Sequence, residues 1–491
     1  MAIVKTNNIS FAYAIEDSLK TLPGSPTWYI LEPNDITTFG ATITTVAREP
    51  ISKDRGRRKG TVTDLESATE FEHDLTLDAF IAFAEAFAFA NFKGDTIETP
   101  TNVAASTDTY TVGSGPTLEA NQLVFARGFA NSANNGIHEV ASGTATTVVV
   151  TSSLTNETPP ANALLETAGL RFETGELAIS VSAGVATLTY SASTSSIGAL
   201  SGYIEVGQVI HVGGVTSGRQ FSAGAGYGRV TAVDNTTITL DKLDSNLATD
   251  PGTGETVDVL FGRFLKNVDV DDADFLERSF QFEAAYPDLD SVGTDEYEYS
   301  VGNRANTMAI ALPLADKSTV TFGFVGADTE TPTTTRKTNA GSAVDPVQTT
   351  AFNTSSDIAR LRLVQDATGL TTCFKDVTLT LNNNVTPEKC LGTLGAFALN
   401  TGIFQVDLEA QVLFTNSDVV TAVRNNTTVT IDFIITNDNG AVAFDIPSMT
   451  IGGGDKEFPV NESVLINLSG QAFQDPTFGT SIGISLFPVV P

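Results

Sequence analysis

The 491 residues include three histidines, His73, His138 and His211. Metal sites and acid–base centres gather imidazoles at short, recognisable spacings, and none of the three sits in such a pattern. His73 lies beside Asp74 ahead of an apolar segment, which supports a surface or internally satisfied imidazole. Gly479-Thr480-Ser481-Ile482-Gly483 matches the GxSxG pattern of a serine nucleophile. That turn needs a helix after the serine and an acid and a histidine downstream, whereas Ile484–Pro491 hold no His, Asp or Glu. Gly224, Gly226 and Gly228 lead into a β-like run, Arg229–Val233, where a dinucleotide loop would lead into a helix. Asp269, Asp271, Asp272 and Asp274 crowd together but lack the central Gly and closing Glu of a calcium loop, so a solvated acidic turn is expected. No catalytic, cofactor-binding or metal-binding residue is assigned.

One cluster stands apart. Arg48, Lys53, Arg55, Arg57, Arg58 and Lys59 lie in REPISKDRGRRKG, six of the 27 basic residues in a chain with 58 acidic ones and a net charge of -31. A charged loop is ordinarily just solvated. In so negative a protein it can also steer and register association, and an inter-subunit contact with acidic surface of a neighbouring copy is the role expected for these six residues. Nucleic-acid contact is the weaker reading, because no aromatic residues interleave with the charges. The overall charge opposes holding DNA by phosphate neutralisation, yet like charge would let DNA slide past without adhering.

The elements that must present this loop read mostly as strands. Phe39, Ala41 and Ile43 alternate with small or polar residues, as do Phe280 and Phe282, then Val377, Leu379 and Leu381, then Val406, Leu408, Ala410 and Val412. Thr428–Thr436 continues the pattern and ends in Asn437-Asp438-Asn439-Gly440, a hairpin signal. Antiparallel sheets with one buried face follow. Two helices are expected. Leu75–Asn91 places Leu77, Phe80, Phe83 and Phe87 at helical spacing, and Ser417–Asn425 offers Ser417 as an N-cap with Asp418 in the first turn.

A weak repeat runs through the chain. Ile43–Thr45, then Pro50, Lys53 and Gly60, then Phe71-Glu72-His73-Asp74-Leu75 precede the first helix. Leu379–Leu381, then Pro387, Lys389 and Gly392, then Phe404-Gln405-Val406-Asp407-Leu408 precede the second. We read a duplicated fold, interrupted by a charge-poor insertion that itself holds two strand-rich repeats, 121–150 and 207–240, and looks self-contained. The expected division is 1–94 as the first part of copy one, 95–260 as the inserted outer modules, and 261–327 as the rest of copy one. A polar linker, 328–357, and copy two, 358–491, complete it.

At this length a chain splits into several domains, and 41% hydrophobic residues suffice for cores. Cys373 and Cys390 cannot build a disulfide framework and are expected as buried thiols. The N-terminus lacks an apolar signal core, and Phe80–Phe92 is too short to span a bilayer, so cytoplasmic synthesis and no membrane partner are expected.

Three stretches carry a family resemblance. REPISKDRGRRKGTVTDL with FEHDLTLDAFIAFAEAF resembles the N-terminal region of major tail tube proteins of long, non-contractile-tailed bacteriophages. YSVGNRANTMAIALPLADKSTVTFGFVGA is similar to their middle, and LTLNNNVTPEKCLGTLGAF, VAFDIPSMTIGGG and Pro488–Pro491 to their C-terminal part. The resemblance implies a mainly-β chain: a duplicated tail-tube β-sandwich with flanking helices, plus inserted small β-barrel or sandwich modules. It implies a structural, non-enzymatic subunit of the virion tail that needs no cofactor. It also implies partners: the chain itself in stacked rings, trimeric with pseudo-sixfold symmetry, other phage tail proteins, and phage DNA passing through the lumen unbound. The alternative is a secreted or surface-displayed β-module adhesin or carbohydrate-binding protein.

Overall fold

The computed structural model of the chain describes residues 5–51, 53, 56–94, 97–115, 117–287, 293–365, 368–371, 373–415 and 417–489. It is mainly β, as the alternating runs require. One half comprises β1 (Ser10–Ile15), β2 (Trp28–Leu31), β3 (Asp35–Arg48), β4 (Arg58–Asp74) and α1 (Leu77–Ala88). After the insertion come β5 (Phe264–Lys266), β6 (Ser279–Tyr286), β7 (Glu296–Pro313) and β8 (Thr319–Gly326). These strands pair antiparallel in the order β2-β1-β6-β7-β8-β4-β3.

The other half comprises β9 (Ile358–Gln365), β10 (Phe374–Asn382), β11 (Gln405–Leu413), α2 (Asp418–Arg424) and β12 (Thr428–Asn437). It ends with β13 (Gly440–Glu457), β14 (Leu465–Ala472) and β15 (Gly483–Phe487). Its order is β9-β12-β13-β14-β11-β10, again antiparallel. Strand for strand this matches β1-β6-β7-β8-β4-β3, and the helix follows the equivalent strand in each. The bulges match too. The β3–β4 register shifts between Ile36 and Thr38, and the β10–β11 register between Phe374 and Asp376. A second pair of shifts falls between Ala305 and Thr307 in β7 and between Gly453 and Asp455 in β13. An extra residue bends a strand and fixes its pairing, so matched bulges set a residue-by-residue correspondence.

That correspondence places Phe71 with Val412 and Ile43 with Leu381. The sequence motif suggested a different alignment: Phe71–Asp74 ends β4, whereas 405–408 opens β11. Both segments alternate, so a shift along the strand leaves the pattern looking the same.

Phenylalanine fills the core. Phe83 of α1 lies 5.0 Å from Phe322 and 5.6 Å from Phe280, ring centre to ring centre, and Phe80 lies 5.3 Å from Phe444 of the other half. One apolar cluster therefore runs through both halves, and each ring it buries contributes roughly 1.5–3 kcal/mol. Thr76 caps α1, its Oγ1 accepting from Ala79 N at 3.2 Å, and Phe89 closes it in a left-handed conformation. The Ser417 side chain makes no such cap on α2; its backbone carbonyl takes Thr421 N instead.

The insertion forms one 13-stranded sheet. Its two apolar clusters, 103–165 and 170–261, meet at the strand Leu164–Phe172, which pairs with Gln122–Arg127 and with Val257–Leu260. Gly169 sits at that crossing with φ +148°, where a Cβ would lie 2.1 Å from the Val259 carbonyl oxygen. The expected self-containment is not what the packing shows. Val209 and Tyr227 share a cluster with Ile434, Ala441, Ala443 and Phe487. Buried ions lock the same face: Arg229 bridges Asp241 at 2.6 Å and Asp445 at 3.0 Å, and Arg360 bridges Asp432 at 2.6 Å and Asp244 at 3.2 Å.

Residues 328–347 are also held more firmly than their polar composition suggested. Arg336 pairs at 2.5 Å with Glu283, which is fully buried, and Trp28 Nε1 donates to Thr338 O at 3.2 Å. The two cysteines form no disulfide but are exposed, contrary to the buried setting expected from residue type.

Candidate self-assembly interface

The basic cluster caps an arm. β3 and β4 pair along their length, and from Ala41 to Thr63 every described residue except Gly60 is exposed. The outer part, Ala41–Arg48, is about 25 Å long at about 3.3 Å per residue. It carries unburied apolar side chains: Ile43, Val46 and Val62 are half exposed, and Ile51 at the tip is fully so. A two-stranded ribbon in water is marginal alone. Arg48 and Arg58 face each other across the ladder, an arrangement that like charges disfavour. Arg57 Nε pairs with Glu49 at 3.0 Å within the arm, and Lys53 and Lys59 are exposed. Arg55 lies outside the described residues.

The second half shows how such an arm can be used, because its own arm is docked. The equivalent segment, 383–404, folds back on the first half. Lys389 Nζ reaches Asp64 at 2.5 Å and Glu66 at 3.5 Å on β4. The hydrogen bond and charge of Lys389 hold the Asp64 carboxyl below its usual range. Val385 N donates to Asn306 Oδ1 and Ala396 N to Ala327 O, each at 2.8 Å, while Val385, Ala396 and Leu399 pack on Ala327. Beside this arm β10 pairs antiparallel with the outer half of β7, Thr307 opposite Asn382 through Pro313 opposite Asp376. The junction buries Met308, Ile310 and Leu312 together with Val377, Leu379 and Leu381.

Each partner strand has a counterpart whose edge is open among the described residues. β3, the counterpart of β10, pairs only with β4. β13, the counterpart of β7, pairs on one side with β12 up to Thr450 and on the other with β15 and β14, which leaves Ile451–Glu457 unpaired on the β12 side. Acidic groups lie close by. Asp376, Glu409 and Asp455 line a surface groove of about 420 Å³ with no basic side chain in its walls. Asp407, the counterpart of Glu66, lies on the same strand as Glu409. The sequence alone does not single these four carboxylates out, because they are four among 58.

The other chemical candidates resolve into structure. His138 and His211 are buried, and burial pushes both below the usual histidine range; His211 Nδ1 is 2.7 Å from Gly213 O. His73 Nδ1 is 2.7 Å from Asp74 O. Ser481 is buried, receives no histidine, and its N–H donates to Asn267 Oδ1 at 3.0 Å. Gly226 and Gly228 lie within the strand Gly226–Val233. In the aspartate run, Asp274 pairs with Lys93 at 2.5 Å and Asp269 accepts from Gln474 at 3.2 Å. Among the described residues no group of His, Cys, Asp or Glu could hold a metal ion, and no helix is long and apolar enough to cross a membrane.

No curated protein matches the sequence. The family model of phage tail tube proteins does, over residues 6–472, which takes in the arm, both open edges and every strand of the two halves but β15, and the chain belongs to that family.

Proposed function

We propose that the chain is the self-assembling wall of a phage tail tube, closing into rings that stack into a conduit for genome ejection. The observation that carries this reading is the β7–β10 junction. It joins two halves of like strand order, and the complementary edges of those halves, on β3 and β13, are open among the described residues. A junction that recurs between chains generates a ring. Because each chain supplies two similar units, three chains complete a ring of six such units, the closed symmetry that pairs the open β3 and β13 edges.

In this reading the arm of each chain lies over its neighbour. Arg48, Lys53, Arg55, Arg57, Arg58 and Lys59 engage Asp407, Glu409, Asp455 and Asp376 of the next copy, as Lys389 engages Asp64 and Glu66 within one chain. The net charge of -31 fits a passage from which DNA is repelled and through which it slides. Synthesis in the host cytoplasm, stacking partners among other tail proteins, and a duplicated ancestry with the boundaries given above belong to the same proposal. Negative-stain electron microscopy of the purified protein tests it. Stacked rings or tubes are expected, and dispersed single molecules at all concentrations would overturn it.

A further inference from the structure

The intrachain junction specifies more than that copies meet; it specifies which residues face each other. Resting on the reading above, we propose that β3 of one chain adds to the open edge of β13 in the next, with Thr44 opposite Asp455, Ile43 opposite Lys456 and Thr42 opposite Glu457. The register comes from the matched bulges. Val412 and Phe374 are paired as Phe71 and Ile36 are, so Thr44 stands where Asn382 stands. Lys456 pairs with Ile466 as Met308 pairs with Phe322, so Asp455 stands where Thr307 stands. Within the chain Thr307 is opposite Asn382, Met308 opposite Leu381 and Ala309 opposite Thr380. The occupant of the β13 edge is thereby a second copy of this chain and not another β protein.

Burial differs between the two junctions in the way this requires. At the formed one, Ile310 and Leu379 are 0% and 1% exposed. At the open one, Phe458, the counterpart of Ile310, is 73% exposed, and Ile43, the counterpart of Leu381, is 55% exposed. Residues after Glu457 leave the strand, so addition of β3 would carry the ladder on to Phe458 opposite Ala41. Pro459 has no N–H to donate and sets the end of the ladder there.

Directly opposed residues bring their Cβ atoms within disulfide reach, and a slip of one residue puts them on opposite faces of the sheet. The test uses full-length protein carrying Cys373→Ser and Cys390→Ser. Thr42→Cys with Glu457→Cys is the in-register pair, and Ile43→Cys with Glu457→Cys the pair shifted by one. Under mild oxidation of assembled tubes, the in-register pair is expected to give chain-to-chain disulfides at least about tenfold faster than the shifted pair, because only it satisfies disulfide geometry. Tubes that form and show no cross-link, or equal rates for both pairs, would overturn the register while leaving the tube reading intact. Absence of tubes in the cysteine-free parent would overturn both.

Discussion

Arg229 shows how a charge distant from the arm holds the body together. Its guanidinium is 5% exposed, Asp445 beside it is 4% exposed, and their nearest approach is 3.0 Å. A buried pair adds little over apolar packing, but removing one partner strands the other and costs about 3–5 kcal/mol. Arg229→Met is therefore expected to lower the stability of the folded chain by that amount in urea denaturation; a change below about 1 kcal/mol would show that the pair is not shielded. Burial pushes the Asp445 carboxyl up to about 6 from 3.8, with Arg229 pulling it back and Asp432 adding repulsion. A raised carboxyl favours the folded state below its unfolded value and loses that contribution as pH rises through its folded one. Asp445→Asn should thus remove a decline in stability between about pH 4 and 6, and an unchanged pH profile would contradict the assignment. None of this was legible in the sequence, since the partners stand 216 positions apart. The basic cluster was legible because basic residues are scarce.

The arm is where an element acts as a unit. Its apolar positions and its charged tip are both exposed in the single chain. Reversing Arg57, Arg58 and Lys59 to Glu replaces attraction by repulsion at exposed pairs worth roughly 0.5–1 kcal/mol each. The critical concentration for assembly should then rise at least about tenfold, as read by sedimentation. Adding Asp407→Lys, Glu409→Lys and Asp455→Lys should restore much of the loss. Unchanged assembly by the first variant, or no recovery with the second, would remove the acidic groove as the docking site. By contrast, Lys389→Ala should leave stability nearly unchanged, because that ion pair is open to water; a clear drop in a melting experiment would mean the second arm depends on it. Several of the strands and the first helix were readable from periodicity, and the second helix from its first-turn residues. Their pairing was not, because alternation fixes a face and leaves the register free, and the bulges that fix the register depend on backbone geometry.

For the whole molecule, the insertion is the element whose reading changes most. Its low charge and turn-rich sequence suggested self-contained modules. Deleting 95–259 would instead uncover Asp432, Asp445 and Arg360, all buried, along with the apolar patch around Ile434 and Phe487. Deletion is expected to give insoluble protein, or soluble protein that exposes hydrophobic surface to a dye; a soluble variant that still forms tubes would show the insertion to be dispensable. A composition shift marks where a segment differs, and says nothing about what that segment packs against. The order of two similar halves with one junction made and its complement open is a property of the two halves together and of neither by itself. Native mass spectrometry of the smallest closed assembly measures that property most directly. A ring of three chains of 51.6 kDa each, stacking into multiples of three, is expected. A ring of six chains, an open chain of subunits, or a monomer at every concentration would contradict it.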